Sequence, residues 1–309
     1  VAAIAGVALV VLVWLSVLRT VFIPQRISSR AAKVSLRVVV AVGLTLANRL
    51  PPRRGATVVE FCAPGAVFLM ATSWLVAITV GFAALATGLA GVGFGIDPFV
   101  AFLTLRDTGA VNVLALVTWL SIALLLAAFT THLFRFTSAY SRRERMVLGL
   151  ATRAQSPVDA DRLLAGHLRT GSRDSLDTLF RDWVSWIADV KVTHTGYPAL
   201  VYYLSSCNLA WFQAAVIMMD TAAVAQAVAP SWAPPHAKAL LESGSSWLRT
   251  AAEQVGVRLP DGMNTVSLHG REERAFAETV RLAVDAGLPA EIGCARAWIT
   301  FQQLRRRYA

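Results

Sequence analysis

Over its first 135 residues the chain alternates long apolar stretches with short basic ones, and then its pattern changes. Val1 to Pro24 is apolar. At ~1.5 Å per residue, a helix of that length crosses the roughly 30 Å hydrocarbon core of a bilayer. No basic residue precedes this run, whereas Arg19, Arg26, Arg30, Lys33 and Arg37 lie at or beyond its end. Basic flanks stay on the cytosolic side, so the first span is expected to enter from outside. A secretory signal needs a basic start and a small-residue cleavage site, and the run has neither. The chain begins on Val rather than Met, so a short preceding leader is expected. Val34 to Leu50 has only a brief apolar core between Arg37 and Arg49, with Pro51-Pro52-Arg53-Arg54 behind it. This pattern predicts a helix lying in the cytosolic interface.

Phe61 to Leu89 carries no charge and predicts a second span, running outward. Its Ala71, Ser73, Ala77 and Gly81 allow another helix to approach closely, or serve ordinary packing. A Gly-rich link follows. Phe99 to Phe134 as one straight helix would be about 54 Å long, well beyond the bilayer core. It is expected to break at the polar knot Arg106-Asp107-Thr108-Gly109. The piece before the knot opens on Asp97-Pro98, a capping residue followed by Pro at the first helical position. Half a helix, a turn and a third span over Val111 to Phe134 outline a re-entrant loop followed by an inner helix. Non-helical backbone survives at that depth only beside protein or a water-filled path.

Beyond Ser141 the chain reads as soluble and helical. Ser156-Pro157 opens one helix, and Leu176, Leu179, Phe180, Trp183, Ile187 and Val190 form an apolar stripe in the next. Gly196-Tyr197-Pro198 ends that helix. Tyr197 to Met219 is uncharged, but Ser205-Ser206-Cys207-Asn208 divides it into two pieces of core-helix length, which argues against a fourth span. Further helices are expected near 236–256, 271–286 and 289–307. The last ends in Arg305-Arg306-Arg307, which suits a helix C-terminus or anionic lipid. The reading is an all-α membrane protein in four parts: a first span over 1–33, an interfacial helix and linker over 34–59, a two-span module with its half-helix over 60–140, and a cytosolic helical domain over 141–309.

Composition agrees. Of 309 residues, 56% are hydrophobic and 16% charged, far from a soluble average. Residues 1–135 hold ten Lys/Arg against three Asp/Glu, and residues 136–309 hold nineteen against sixteen. A basic excess inside the apolar half orients a membrane protein and does not suggest a nucleic-acid partner. Cys62, Cys207 and Cys294 are widely spaced, and the five histidines form no paired motif, so neither a disulfide framework nor a metal or other cofactor is expected. No catalytic motif is present, and no enzymatic activity is expected. His132, at the inner end of the third span, is a candidate gate residue because histidine titrates near neutral pH, although a capping or interfacial role is the plainer reading.

The turn Thr20 to Pro24, the interfacial helix, two spans around a half-helix and then Ser141-Arg142-Arg143-Glu144 resemble bacterial potassium-channel-like proteins with a cytosolic helical tail. The resemblance continues through Trp183, Trp186 and Tyr197-Pro198 to Asp220, about two-thirds of the chain. It implies a pore-loop fold in the bacterial inner membrane, N-terminus outside, assembled as a homotetramer or, next, a dimer around a path for inorganic ions. In that family the half-helix leads into a filter of the form T-L-G-F-G-D, whose carbonyls replace the hydration shell of K⁺. The positions implied here are Thr104, Leu105, Arg106, Asp107 and Thr108, so both filter glycines and the aromatic between them are missing. Glycine lets successive carbonyls face the axis, and arginine lacks that freedom. Gly91-Val92-Gly93-Phe94-Gly95 is filter-like, but using it would leave Arg106 and Asp107 inside a lipid-facing helix, at ~2.5 kcal/mol or more per charge. It reads better as a flexible outer loop. The expectation is an oligomeric, channel-like membrane protein without K⁺ selectivity, or a non-conducting accessory subunit with a channel-derived fold.

Overall fold

The computed structural model describes residues 1–21, 30–90, 100, 102–104, 109–153, 159–207, 209–255 and 269–308. Among them there are helices and turns and no strands. The helices are α1 (Ala2–Val21), α2 (Arg30–Ala47), α3 (Pro52–Ala90), α4 (Ala110–Arg153), α5 (Ala160–Thr170) and α6 (Arg173–Gly196). A 3₁₀ turn over Pro198–Tyr202 is followed by α7 (Trp211–Val228), α8 (Pro235–Val255), α9 (His269–Asp285) and α10 (Cys294–Arg305). Four are long and apolar enough to cross a membrane: α1, Thr57–Leu89 of α3, Val111–Thr152 of α4, and α7. Such helices fit a membrane protein. The chain divides into two compact units, Val1–Ala139 with Val192–Tyr203, and Tyr140–Lys191 with Leu204–Ala309.

The first unit is built on α1, α3 and the apolar part of α4. Val13, Val17 and Val21 of α1 meet Met70, Trp74, Ile78 and Phe82 of α3, with Phe102 and with Ala115 and Leu125 of α4. The Trp74 Nε1–H donates to Ser16 Oγ at 3.1 Å, satisfying an indole that apolar surroundings would otherwise leave bare. Small residues set how closely α1 and α3 run. A Cβ on Gly6 would lie 2.5 Å from the Gly81 carbonyl oxygen, and one on Gly88 would lie 2.8 Å from the Ala3 backbone nitrogen. Between apolar helices in lipid, such contact replaces the hydrophobic drive that water would supply. Gly81, read as a small residue that permits approach, makes this contact. The α2 helix packs on α3 where Val39 faces Gly65 and Gly43 faces Cys62, while Val34, Val38, Val42 and Leu46 leave an apolar stripe exposed.

The break expected before the third span is present at its far side, where Gly109 has φ +65°, a conformation that glycine adopts without cost. The helix after it is longer than the apolar run. It continues past Phe134 through Arg135, Arg142, Arg143 and Arg145 to Arg153, because the buried positions keep helical spacing through Phe136, Ala139, Arg143, Val147 and Leu150.

In the second unit, α6 buries the stripe read from the sequence, with Leu176, Phe180, Trp183, Ile187 and Val190 inside. The uncharged 197–219 stretch is divided as expected, but its second piece runs on through Asp220 to Val228 and exceeds a short core segment. This α7 is central: Ala214, Met218, Met219, Thr221, Ala222 and Ala223 have no exposed surface, and α5, α8 and α10 pack on it. Its one charge, Asp220, accepts a 2.8 Å hydrogen bond from the Tyr308 hydroxyl and pairs with Arg305 at 3.3 Å. Burial, then the Asp220 charge, push the Tyr308 phenol far above its ordinary value, so it stays a donor. At the start of α8, Asp177 accepts from the His236 backbone N–H at 2.9 Å and pairs with its ring at 2.7 Å. Partial burial works to raise the Asp177 carboxyl, but these bonds and Arg173 outweigh it and hold the group below the usual carboxylate range.

Gly6→Leu is expected to force α1 off α3 at a cost of about 1–3 kcal/mol. The thermal midpoint of the detergent-solubilised protein should fall accordingly. Gly149→Ala, where a Cβ would meet nothing within 4 Å, should leave the midpoint unchanged or raise it slightly.

Candidate functional site

Of the five loop positions drawn from the sequence, only Thr104 is among the described residues; Leu105, Arg106, Asp107 and Thr108 lie outside them, as do Asp97-Pro98 and Gly91–Gly95. The Thr104 N–H and hydroxyl both donate to the Val100 carbonyl, at 2.9 and 2.7 Å. Phe102 is 2% exposed and belongs to the core of the first unit. The Leu103 carbonyl accepts a 3.2 Å hydrogen bond from the Trp119 indole. Trp119 is nine residues into α4, roughly 13 Å along its axis from Ala110. The Leu103 backbone therefore lies beside α4, within reach of the Trp119 indole.

The face of α4 away from the core is exposed through Leu116, Leu120, Leu124, Thr130, Thr131, Phe134 and Thr137. The three threonine hydroxyls donate to carbonyls four residues back at 2.9, 3.0 and 2.9 Å, the arrangement that lets threonine sit in an apolar medium. His132 does not share that face. It is 5% exposed, its ring meets Tyr197 edge-on at 5.2 Å, and its Nδ1 has no hydrogen-bond partner among the described residues. The next turn carries Arg135, whose Nη1 donates to the Val21 carbonyl at the end of α1 at 2.8 Å.

A second cluster, in the other unit, was not visible as such in the sequence. Arg143 and Glu144, which entered the sequence reading as part of the resemblance, are buried, with side chains 1% and 8% exposed. Nε and Nη2 of Arg143 donate to Glu144 Oε1 at 3.1 and 2.9 Å. Glu144 Oε2 in turn accepts the Ser206 N–H at 2.9 Å. The guanidinium lies 5.2 Å from the Tyr140 ring centre and 5.6 Å from that of Trp211. The Trp186 indole donates to the Arg143 carbonyl at 3.1 Å, and the Tyr140 hydroxyl donates to Leu204 O. The signal that could have located the pair is the concentration of aromatic residues downstream, since a guanidinium leaving water needs both a carboxylate and ring faces. This cluster joins α4, α6 and the 204–211 segment.

Among the described residues no three His, Cys, Asp or Glu side chains converge as a metal site. Against models of protein families, characterised proteins and solved structures, the chain finds no match.

Glu144→Ala leaves Arg143 buried without its carboxylate and is expected to cost about 3–5 kcal/mol. The paired change Arg143→Met with Glu144→Leu should cost clearly less than either single removal, because no charge is then stranded. Thermal unfolding of Glu144→Ala, Arg143→Met and the paired variant against the parent protein measures the difference.

Proposed function

We propose that this chain is an integral membrane protein of the pore-loop type, several copies of which surround a path bounded by the 104–108 loop and the exposed face of α4. The observation that carries this reading is the Trp119 to Leu103 hydrogen bond. With Phe102 in the core and Gly109 turning the chain into α4, it supports a segment that descends beside the inner helix and returns. One copy has a single such segment and cannot enclose a path, so symmetric assembly follows, a tetramer before a dimer. The path is not selective for K⁺, because Arg106 and Asp107 stand where filter glycines are needed and a ring of arginines repels cations. The same substitution favours a second reading, a non-conducting accessory subunit. Measuring assembly and conduction together decides between them. Native mass in detergent should give a multimer, and in a planar bilayer under a KCl gradient the current should be absent or reverse away from the K⁺ equilibrium potential. A multimer reversing at that potential while rejecting Na⁺ overturns the proposal, and a monomer removes the pore altogether.

The basic flanks at Arg49–Arg54 and Arg135–Arg145 further support a cytosolic second unit in a bacterial inner membrane, with α7 as a core helix sheathed by its neighbours. Cys294 is exposed on its own unit and serves as reporter. A membrane-impermeant maleimide should leave it unlabelled in intact cells and label it once the membrane is opened. Labelling from outside would make α7 a fourth span.

A further inference from the structure

The second unit contains a cavity of about 820 Å³ formed by α4, α5, α6 and α9. That volume is within the range of small-molecule sites. Three arginines line it, Arg145 on α4 and Arg162 and Arg169 on α5, against one carboxylate, Asp182. All three arginines are exposed, and among the described residues none of them forms an ion pair. Trp183 and Leu150 contribute apolar wall.

The glycines point the same way. Arg145 is followed four residues later by Gly149, and Arg162 four residues later by Gly166, so on each helix the glycine shares a face with the arginine. Both glycines line the cavity, and a Cβ added at either would meet nothing within 4 Å. Packing does not require them, yet each costs its helix about 1 kcal/mol relative to alanine. A side chain there would take up space along the wall that the arginines share. Arginine forks match the oxygens of a phosphate in pairs, and the apolar wall suits an organic body attached to it.

We propose that this cavity binds a phosphate monoester or anhydride carried on an organic group, either a soluble metabolite of nucleotide size or the headgroup of an anionic lipid. ATP and inorganic phosphate are titrated calorimetrically into the full-length protein in phosphatidylcholine nanodiscs, and thermal midpoints are compared between these discs and discs containing phosphatidic acid. Saturable ATP binding, weakened about tenfold or more by Arg162→Ala and by Gly166→Leu, is the result expected for a soluble ligand. A midpoint raised by phosphatidic acid in the parent protein but not in those two variants assigns the site to lipid and supports the same chemistry. Gly166→Leu alters shape without charge and replaces a poor helix former, so its effect is not one of misfolding. Arg181→Ala, an exposed charge on α6 outside the cavity, is the control. The proposal is overturned if Arg181→Ala weakens binding as much as Arg162→Ala does, or if neither ATP, inorganic phosphate nor phosphatidic acid produces a saturable response.

Discussion

A peptide group that leaves water must find another partner, and in a chain this apolar the requirement falls hardest where helices end. Those ends are met here by donors sent from elsewhere in the same unit. Arg135 supplies the last carbonyl of α1, Trp119 that of Leu103, and Tyr140 that of Leu204. Arg173 donates to the Trp232 and Ala233 carbonyls past α7, and the backbone N–H groups of Glu291 and Ile292 both reach the Val228 carbonyl. Each of these bonds fixes a turn against a helix, so the path of the connecting segments follows from satisfying their backbone as much as from burying their side chains.

That requirement also explains why the Arg143 and Glu144 pair is stable where it is. Two charges taken from water cost more than their mutual attraction returns unless the remaining donors and acceptors are satisfied. Glu144 divides its oxygens between the guanidinium and Ser206, while two aromatic faces lie near the Arg143 charge. The non-helical 204–210 segment, which has no ladder of its own, is thereby held to α4.

Much of the helical layout was legible because it rests on periodicity and punctuation. The Trp183 and Ile187 stripe, the Tyr197-Pro198 stop and the polar interruption at Ser205 to Asn208 each act locally, and local signals survive in one dimension. The end of α4 was not legible in the same way. A basic residue beside an apolar run looks alike whether it meets lipid headgroups, solvent or a buried carboxylate. Arg142 pairs with Asp189 at the surface while its neighbour Arg143 is sealed inside, a difference of one helical step that composition does not record. The loop at 104–108 was singled out by the length of the apolar run and by the resemblance, and of it only Thr104 has a described position; Trp119, which donates to the neighbouring Leu103 carbonyl, carries no signal of that role in one dimension.

The burial of α7 has a consequence for biosynthesis. Trp211 to Val228 leaves the ribosome before α8 and α10, the helices that cover it, have been made. For that interval the chain presents an eighteen-residue apolar segment with a single acidic group, which insertion machinery reads by the same hydropathy as a true span. Tyr308, the last described residue, supplies the hydrogen bond to Asp220, so the helix gains that part of its cover only after the residues up to Tyr308 have been made.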